Sequence, residues 1–286
     1  MNKVIERSMI VPNMHLLEIE APQIASKVKP GQFVIVRGDD EGERIPLSIA
    51  DYDVEKGSIS IVFMEVGAST SALARLKAGD EVATCVGPLG NATSIETFGN
   101  VMLVGGCYGI GSLYPVAKEL KAKGNKITVV LEARSSYLIY WLNKYVPLAD
   151  KIFTITRDGS LGTKGHISRL PDVIHGMPVR PDRIIVNGCT YLMAHTSEVT
   201  KDLGIPIVVN LNPIMIDGTG MCGVCRVTVG GQMKFACVDG PEFNGHDIDW
   251  KEFLARRKAY TTEETLFFRR SDAPSAHNEG KCAWHE

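Results

Sequence analysis

VMLVGGCYGIGSLYPVAKEL, residues 101–120, is the stretch that decides the fold. Its first half is a run of apolar residues of the fully buried type, ending in glycine. Its second half has the amphipathic spacing of a helix. Gly105, Gly106, Gly109 and Gly111 sit at the junction, where they permit close backbone approach and turn the helix N-terminus towards a pyrophosphate. The pattern is not a true G-x-G-x-x-G, and a tight strand-to-helix turn would use the same glycines.

Downstream, the alternation continues. KITVVLEAR (126–134) reads as a second buried strand and SSYLIYWLNKYV (135–146) as a helix. KIFTIT (151–156) and RIIVNG (183–188) read as strands, YLMAHTSEVTKDLG (191–204) as a helix with a glycine stop, and IPIVVNLN (205–212) extends the apolar pattern. This order predicts a doubly wound parallel α/β domain over residues 97–210. Glu132, at a strand end, stands where an acidic residue commonly accepts ribose hydroxyls. Arg134 could meet a 2′-phosphate instead. Because Glu132 would repel that phosphate, NAD(H) is favoured and NADP(H) stays open. Gly188 and Cys189 follow a later strand, at the carboxyl edge where such folds bind ligands. Cys189 equally suits a buried thiol.

Upstream, MHLLEIEA, GQFVIVRG, GSISIVFMEV and GDEVATCVGPLG are short apolar, β-branched runs punctuated by Gly, Asp and Pro. They predict a small antiparallel barrel over residues 1–96, interrupted by one short helix, STSALARL (69–76). Residues 211–250 are rich in Gly and Cys and form a separate loop domain. Residues 251–286 form a polar arm that begins with a helical stretch and is suited to a partner contact or to solvent.

Composition limits the function. The chain has 286 residues, 44% of them hydrophobic, and a net charge of −2. No basic excess marks a nucleic-acid binder. No run reaches the roughly 18 apolar residues that span a bilayer, and the N-terminus lacks a signal-peptide pattern. A cytoplasmic protein is expected. Seven cysteines, an odd number in a reducing compartment, argue against a disulfide framework.

Three of those cysteines lie in IMIDGTGMCGVCRVTVGGQMKFACVDGPEF (214–243). Cys222 and Cys225 have the x2 spacing that lets two thiolates serve one centre, and Cys237 follows. A plant-type 2Fe–2S site reads C-x4-C-x2-C with a distant fourth cysteine. Counting back from Cys222, the first position is Asp217, so the pattern is D-x4-C-x2-C-x11-C. A carboxylate can ligate iron through oxygen. Zinc held by three thiolates, or plain core thiols beside a turn-capping Asp217, fit the spacing less well.

The order of barrel, nucleotide domain and cysteine-bearing tail, with RIPLSIAD (44–51), EVGASTSAL (65–73), GPLGN (87–91), GGCYGIGSLYP (105–115) and DGTGMCGVCRV (217–227), resembles the ferredoxin–NADP reductase superfamily. Within it the chain is similar to the branch of dihydroorotate dehydrogenase electron-transfer subunits and of the small subunits of electron-bifurcating ferredoxin:NADP oxidoreductases. The resemblance covers nearly all of residues 1–250, and Asp217 favours the bifurcating side over the four-cysteine dihydroorotate side. It implies FAD in the barrel, held by Arg44, Pro46, Leu47, Ser48, Phe63, Gly67, Ser69 and Thr70, with Leu47 on the ring system and Ser48 near N5. It implies NAD(H) against Gly106, Tyr108, Gly109, Ile110, Gly111, Glu132, Arg134, Gly188 and Cys189, and a 2Fe–2S cluster on Asp217, Cys222, Cys225 and Cys237. Hydride exchange between NAD(H) and FAD would then feed single electrons to a larger flavin and 4Fe–4S subunit, and through it to ferredoxin. The alternatives are a dihydroorotate dehydrogenase partner and a free-standing diaphorase. Arg44 lies one residue further from Ser48 than in the simplest family pattern, and Cys107 and Tyr108 replace smaller or aliphatic residues.

Overall fold

The computed structural model describes residues 2–263 and 266. The β-branched runs of the N-terminal third form seven strands: β1 (Asn2–Val11), β2 (Met14–Glu20), β3 (Phe33–Arg37), β4 (Ile45–Asp53), β5 (Ser58–Met64), β6 (Glu81–Val82) and β7 (Thr84–Leu89), with short helices α1 (Pro22–Ala25) and α2 (Ala68–Arg75). All pairings are antiparallel, in the order β6-β1-β2-β5-β4-β3-β7. Only Ala83 separates the two strands at opposite ends of that order, so the sheet curls until its edges nearly meet, as a barrel requires. Alternation along the strands sorts the side chains. Leu17, Ile19, Ile59, Ile61 and Phe63 fill the interior, whereas Met14, Ala50 and Val62 face outward onto the next domain.

That domain runs through β8 (Asn100–Gly106), α3 (Gly109–Ala122), β9 (Lys126–Ala133), α4 (Leu142–Tyr145), β10 (Lys151–Thr156), β11 (Thr163–Lys164), α5 (Leu170–His175), β12 (Arg183–Asn187), α6 (Thr190–Thr200) and β13 (Ile207–Asn210). The C-terminal region adds β14 (Arg226–Val229), β15 (Gln232–Phe235), β16 (Glu242–Asn244) and α7 (Trp250–Arg257). The second sheet has the order β11-β10-β9-β8-β12-β13-β16. It is parallel except for β16, which pairs antiparallel with β13. Strand order reverses between β8 and β12, which makes their carboxyl ends the topological switch point.

Three local expectations change. Residues 135–146 do not form one helix. Trp141 takes a left-handed φ of 55°, and the segment folds so that Tyr140 and Tyr145 reach back to α3. The Tyr140 hydroxyl donates to the Cys107 carbonyl and accepts from the Gly111 N–H, while the Tyr145 hydroxyl donates to the Ile110 carbonyl. Tertiary hydrogen bonds to the start of α3 thus outweigh helix propensity. The cysteine-bearing region, expected as a small loop domain, also extends the nucleotide-domain sheet, because β16 pairs antiparallel with β13. The C-terminal helix folds back onto the chain as well: Phe253 is buried and Arg256 Nη2 donates to the Val224 carbonyl at 2.9 Å. The rest of the expected contact arm, with Cys282, lies outside the described residues.

Helix α3 is wedged between the barrel and the parallel sheet. A Cβ on Gly111 would stand 3.0 Å from Val62 and 3.3 Å from Ala50. Beside this contact, Lys118 Nζ lies 2.6 Å from Asp51 Oδ1 on the barrel and 4.9 Å from the Tyr114 ring centroid. Both charges are partly exposed, so Lys118→Met is expected to cost only about 0.5–1 kcal/mol in urea unfolding. A loss above about 3 kcal/mol would mark the pair as a buried one instead.

Candidate functional site

After β13, three left-handed glycines, Gly218, Gly220 and Gly223, fold the chain into a tight loop. Gly218 shows why one of them must be glycine. Its φ is +76°, and a Cβ there would lie 2.8 Å from Leu89 and 3.0 Å from Ile35, both on the barrel. The loop is therefore pressed against β3 and β7.

Within the loop the four expected ligands form two pairs. Cys222 Sγ donates to Asp217 Oδ1 at 3.2 Å, and the Cys225 and Cys237 sulfurs are 3.3 Å apart. The first pair lies at the surface, with Cys222 exposed; the second is buried in the core. Two thiolates on one tetrahedral metal at about 2.3 Å each would stand roughly 3.7 Å apart, so each pair suits one metal atom after a small opening. Among the described residues no group of three or more His, Cys, Asp or Glu side chains is placed to hold a single ion. Two pairs match a two-iron cluster, which takes two protein ligands per iron, better than one zinc. The donor set therefore fits the group.

The electrostatics of the two pairs differ. Burial works against ionisation of Asp217. Hydrogen bonds from the Cys222 thiol, from the N–H and hydroxyl of Thr219 and from the Met221 N–H outweigh it and hold the carboxyl at about 2. Burial, then the neighbouring Cys225, push the Cys237 thiol up to about 12. Metal binding at the inner pair must therefore displace protons.

At the switch point, the glycine turn is closely packed. Gly106, Gly109, Ile110 and Gly111 are buried. A Cβ on Gly109 would fall 1.9 Å from the Asn187 carbonyl oxygen. The structure gives these four positions to helix–strand and helix–barrel packing, and Ile110 to the core. Tyr108 is likewise committed: its hydroxyl donates to the Gly188 carbonyl at 2.8 Å and accepts from Asn212 Nδ2. Burial pushes its phenol well above the ordinary range. Thr190 in turn donates to Asn212 Oδ1 at 2.9 Å. Tyr108→Phe should cost about 1–3 kcal/mol in urea unfolding, because it strands the Asn212 donor and the Gly188 carbonyl. An unchanged midpoint would show that the hydroxyl contributes no stability. Cys189 caps α6, its sulfur accepting from the Leu192 N–H at 3.4 Å.

Glu132 remains suited to a ribose. It is 8% exposed, and its Oε1 has no hydrogen-bond partner. Arg157 Nε at 3.7 Å and His166 Nε2 at 3.8 Å are too distant for hydrogen bonds to that oxygen. Burial raises its pKa and Arg157 lowers it. An orphaned acceptor at the carboxyl end of β9 is what a ligand hydroxyl would satisfy. Arg134 is exposed two residues on.

The expected flavin residues divide. Pro46 and Ser48 pair with Ile35 and Phe33, and so share the barrel face that meets the loop. Leu47 packs on the barrel core instead. Phe63 is a core residue, 2% exposed and stacked on His15 at 5.5 Å; it does not reach the barrel surface. The Thr70 hydroxyl accepts from the Val66 and Gly67 N–H groups at 2.9 and 3.0 Å, so it organises the turn before α2, which leaves Ser69 in the first turn of the helix. Arg44 donates from Nε to the Ile216 carbonyl at 3.0 Å.

Sequence reasoning missed Asn212, Thr190 and the Arg256 contact, which depend on tertiary proximity. The start of α7 was readable: Asp249 caps it by accepting from the Glu252 N–H at 2.9 Å, the D-x-x-E signature.

Comparison with known proteins follows the same division. Residues 212–249 match the iron-sulfur cluster binding domain of dihydroorotate dehydrogenase B. The chain is 43% identical over 270 residues to a dihydroorotate dehydrogenase B (NAD(+)) electron transfer subunit homolog of Thermotoga maritima, covering 94% of this chain and 95% of that one. It is 32% identical to the dihydroorotate dehydrogenase B (NAD(+)) electron transfer subunit of Desulforamulus reducens, covering 87% and 97% respectively. It also superposes with a TM-score of 0.88 and 43% identity on a chain from the structure of NADH-dependent reduced ferredoxin-NADP oxidoreductase, a flavin-based electron bifurcation system, covering 94% of this chain and 97% of that one. With relatives this similar over nearly its whole length, the chain belongs to the family of dihydroorotate dehydrogenase B electron transfer subunits and their homologues.

Proposed function

We propose that the chain is the electron-transfer subunit of a flavin and iron–sulfur oxidoreductase, exchanging electrons with NAD(H) and passing them to a larger partner. The arrangement of Asp217 with Cys222 and of Cys225 with Cys237 carries this reading. When bound, FAD and a 2Fe–2S cluster would supply the conversion between two-electron and one-electron chemistry. The chain's own residues hold and orient those groups. Asp217, Cys222, Cys225 and Cys237 are the ligands, and the Pro46–Ser48 strip, with the start of α2, is the flavin edge. Glu132 accepts from the ribose of the dinucleotide, and Tyr108, Asn212 and Gly188 keep the floor of the nucleotide cleft rigid. The partner is a larger flavin and 4Fe–4S subunit of the bifurcating kind, with ferredoxin reached through it. The oxygen donor at Asp217 favours this partner. The names of the Thermotoga and Desulforamulus relatives favour a dihydroorotate dehydrogenase as the second reading. Among the described residues no helix is long and apolar enough to cross a membrane.

An anaerobic visible spectrum with NADH or NADPH tests the proposal. Flavin bands near about 450 nm over a broad cluster shoulder, bleached by NADH at lower concentration than by NADPH, are expected. A colourless chain would overturn it. Gel filtration with each class of partner separates the two readings.

A further inference from the structure

Arg44 stands immediately before β4, the strand that carries Pro46 and Ser48, yet its Nε–H is spent 172 residues away on the Ile216 carbonyl. Ile216 is covalently joined to Asp217, the oxygen donor of the outer pair. Two further observations give this bond consequence. Gly218, on the other side of Asp217, is pressed onto Ile35 and Leu89 with no room for a methyl group, so Asp217 is held between two anchor points on the barrel. Among the described residues Arg44 also takes part in no ion pair, so no carboxylate partner cancels its charge there.

We propose that Arg44 is a positioning residue that ties the iron–sulfur loop to the flavin-bearing strand and, by its charge, favours the reduced state of the centre at Asp217. The proposal rests on the cluster reading above. Three thiolates and a carboxylate give the ligand set a charge of −4, and reduction adds one more negative charge. A fixed guanidinium nearby stabilises the more negative state, and the effect is moderated by solvent because the side chain is partly exposed. The neutral hydrogen bond fixes the distance at which that charge acts.

The test is an EPR-monitored redox titration of the purified chain with its cofactors in place, comparing wild type with Arg44→Met, Arg44→Lys and Arg44→Gln. Arg44→Met should lower the reduced-to-oxidised ratio of the cluster about tenfold at a fixed ambient potential, about 59 mV for one electron. Arg44→Lys, which keeps the charge, should recover most of the shift, whereas Arg44→Gln should recover little of it. Iron and flavin contents are measured in parallel, so that loss of the loop is distinguished from loss of the charge. Unchanged cluster potentials in all three variants, at full iron content, would overturn the proposal. So would loss of FAD from Arg44→Met with the cluster potential preserved, which would return Arg44 to a flavin-phosphate role. An equal shift in Arg44→Lys and Arg44→Met would also count against the charge. A wild-type chain with no EPR signal on reduction would instead refute the cluster reading beneath the proposal.

Discussion

Replacing Cys225 with serine is expected to reduce bound iron at least about tenfold while the barrel keeps its flavin. Mutating even a second-shell partner of a metal site costs roughly 10–100-fold in affinity, and loss of a ligand costs more. Cys225 is one of the two buried members of the proposed ligand set. Its side chain is 2% exposed and packed in the core shared by the parallel sheet and the loop, with Cys237 Sγ 3.3 Å away. Serine would place a hydroxyl in that apolar setting and would give the proposed inner iron a poor ligand. Cys85→Ser serves as the control. Cys85 belongs to neither pair; it packs on the barrel core, and burial pushes its thiol up to about 12. Iron per chain, measured for both variants beside flavin absorbance and unfolding midpoint, decides the matter. Full iron in Cys225→Ser would remove Cys225 from the ligand set.

Gly109→Ala should produce the largest loss of stability of any glycine substitution in the nucleotide domain. The added Cβ would meet the Asn187 carbonyl oxygen at 1.9 Å, its carbon at 2.2 Å and the Gly188 nitrogen at 2.5 Å. All three are backbone atoms at the end of β12, so no side chain can rotate aside. Helix α3 would have to lift from the sheet and, with it, from Val62 and Ala50 on the barrel. Overpacking of this severity exceeds the usual 1–3 kcal/mol; at about 2–4 °C per kcal/mol, the midpoint should fall by roughly 6 °C or more. Gly124→Ala gives the contrast. Gly124 has a φ of +82° but nothing within 4 Å of a new Cβ, so only backbone strain of about 1–2 kcal/mol is expected. Similar midpoints for the two variants would mean that the α3–β12 approach is not tight.

Periodicity made most of the fold legible. The apolar run ending at Gly106 and the helix after it are β8 and α3, and the later apolar runs are β9, β10, β12 and β13. What escaped was decided by tertiary contacts. SSYLIYWLNKYV has helical composition, yet Tyr140 and Tyr145 find better hydrogen-bond partners on α3 than a continuous helix would allow. Three residues at Glu242–Asn244 carry too short a signal to read as a strand, and β13 supplies the edge that makes them one. In the site, the spacing named Asp217, Cys222, Cys225 and Cys237 together but grouped Cys222 with Cys225, whereas the fold sets Cys222 beside Asp217 and Cys225 beside Cys237. The glycines of the turn were harder to interpret. Close approach to a ligand and close approach to Asn187 or Val62 demand the same residue, and the structure puts protein atoms there. Leu47 and Phe63 show the limit of carrying a motif across by position: both lie within strands whose alternation turns them into the barrel core.

One flavin and one two-iron centre per chain is the cofactor content that the family and the cysteine loop require. It is tested most directly by counting iron, acid-labile sulfide and FAD on chain purified without oxygen. Two irons, two sulfides and one FAD per chain are expected, as a 2Fe–2S flavoprotein requires. One zinc per chain, without sulfide or flavin, would contradict it.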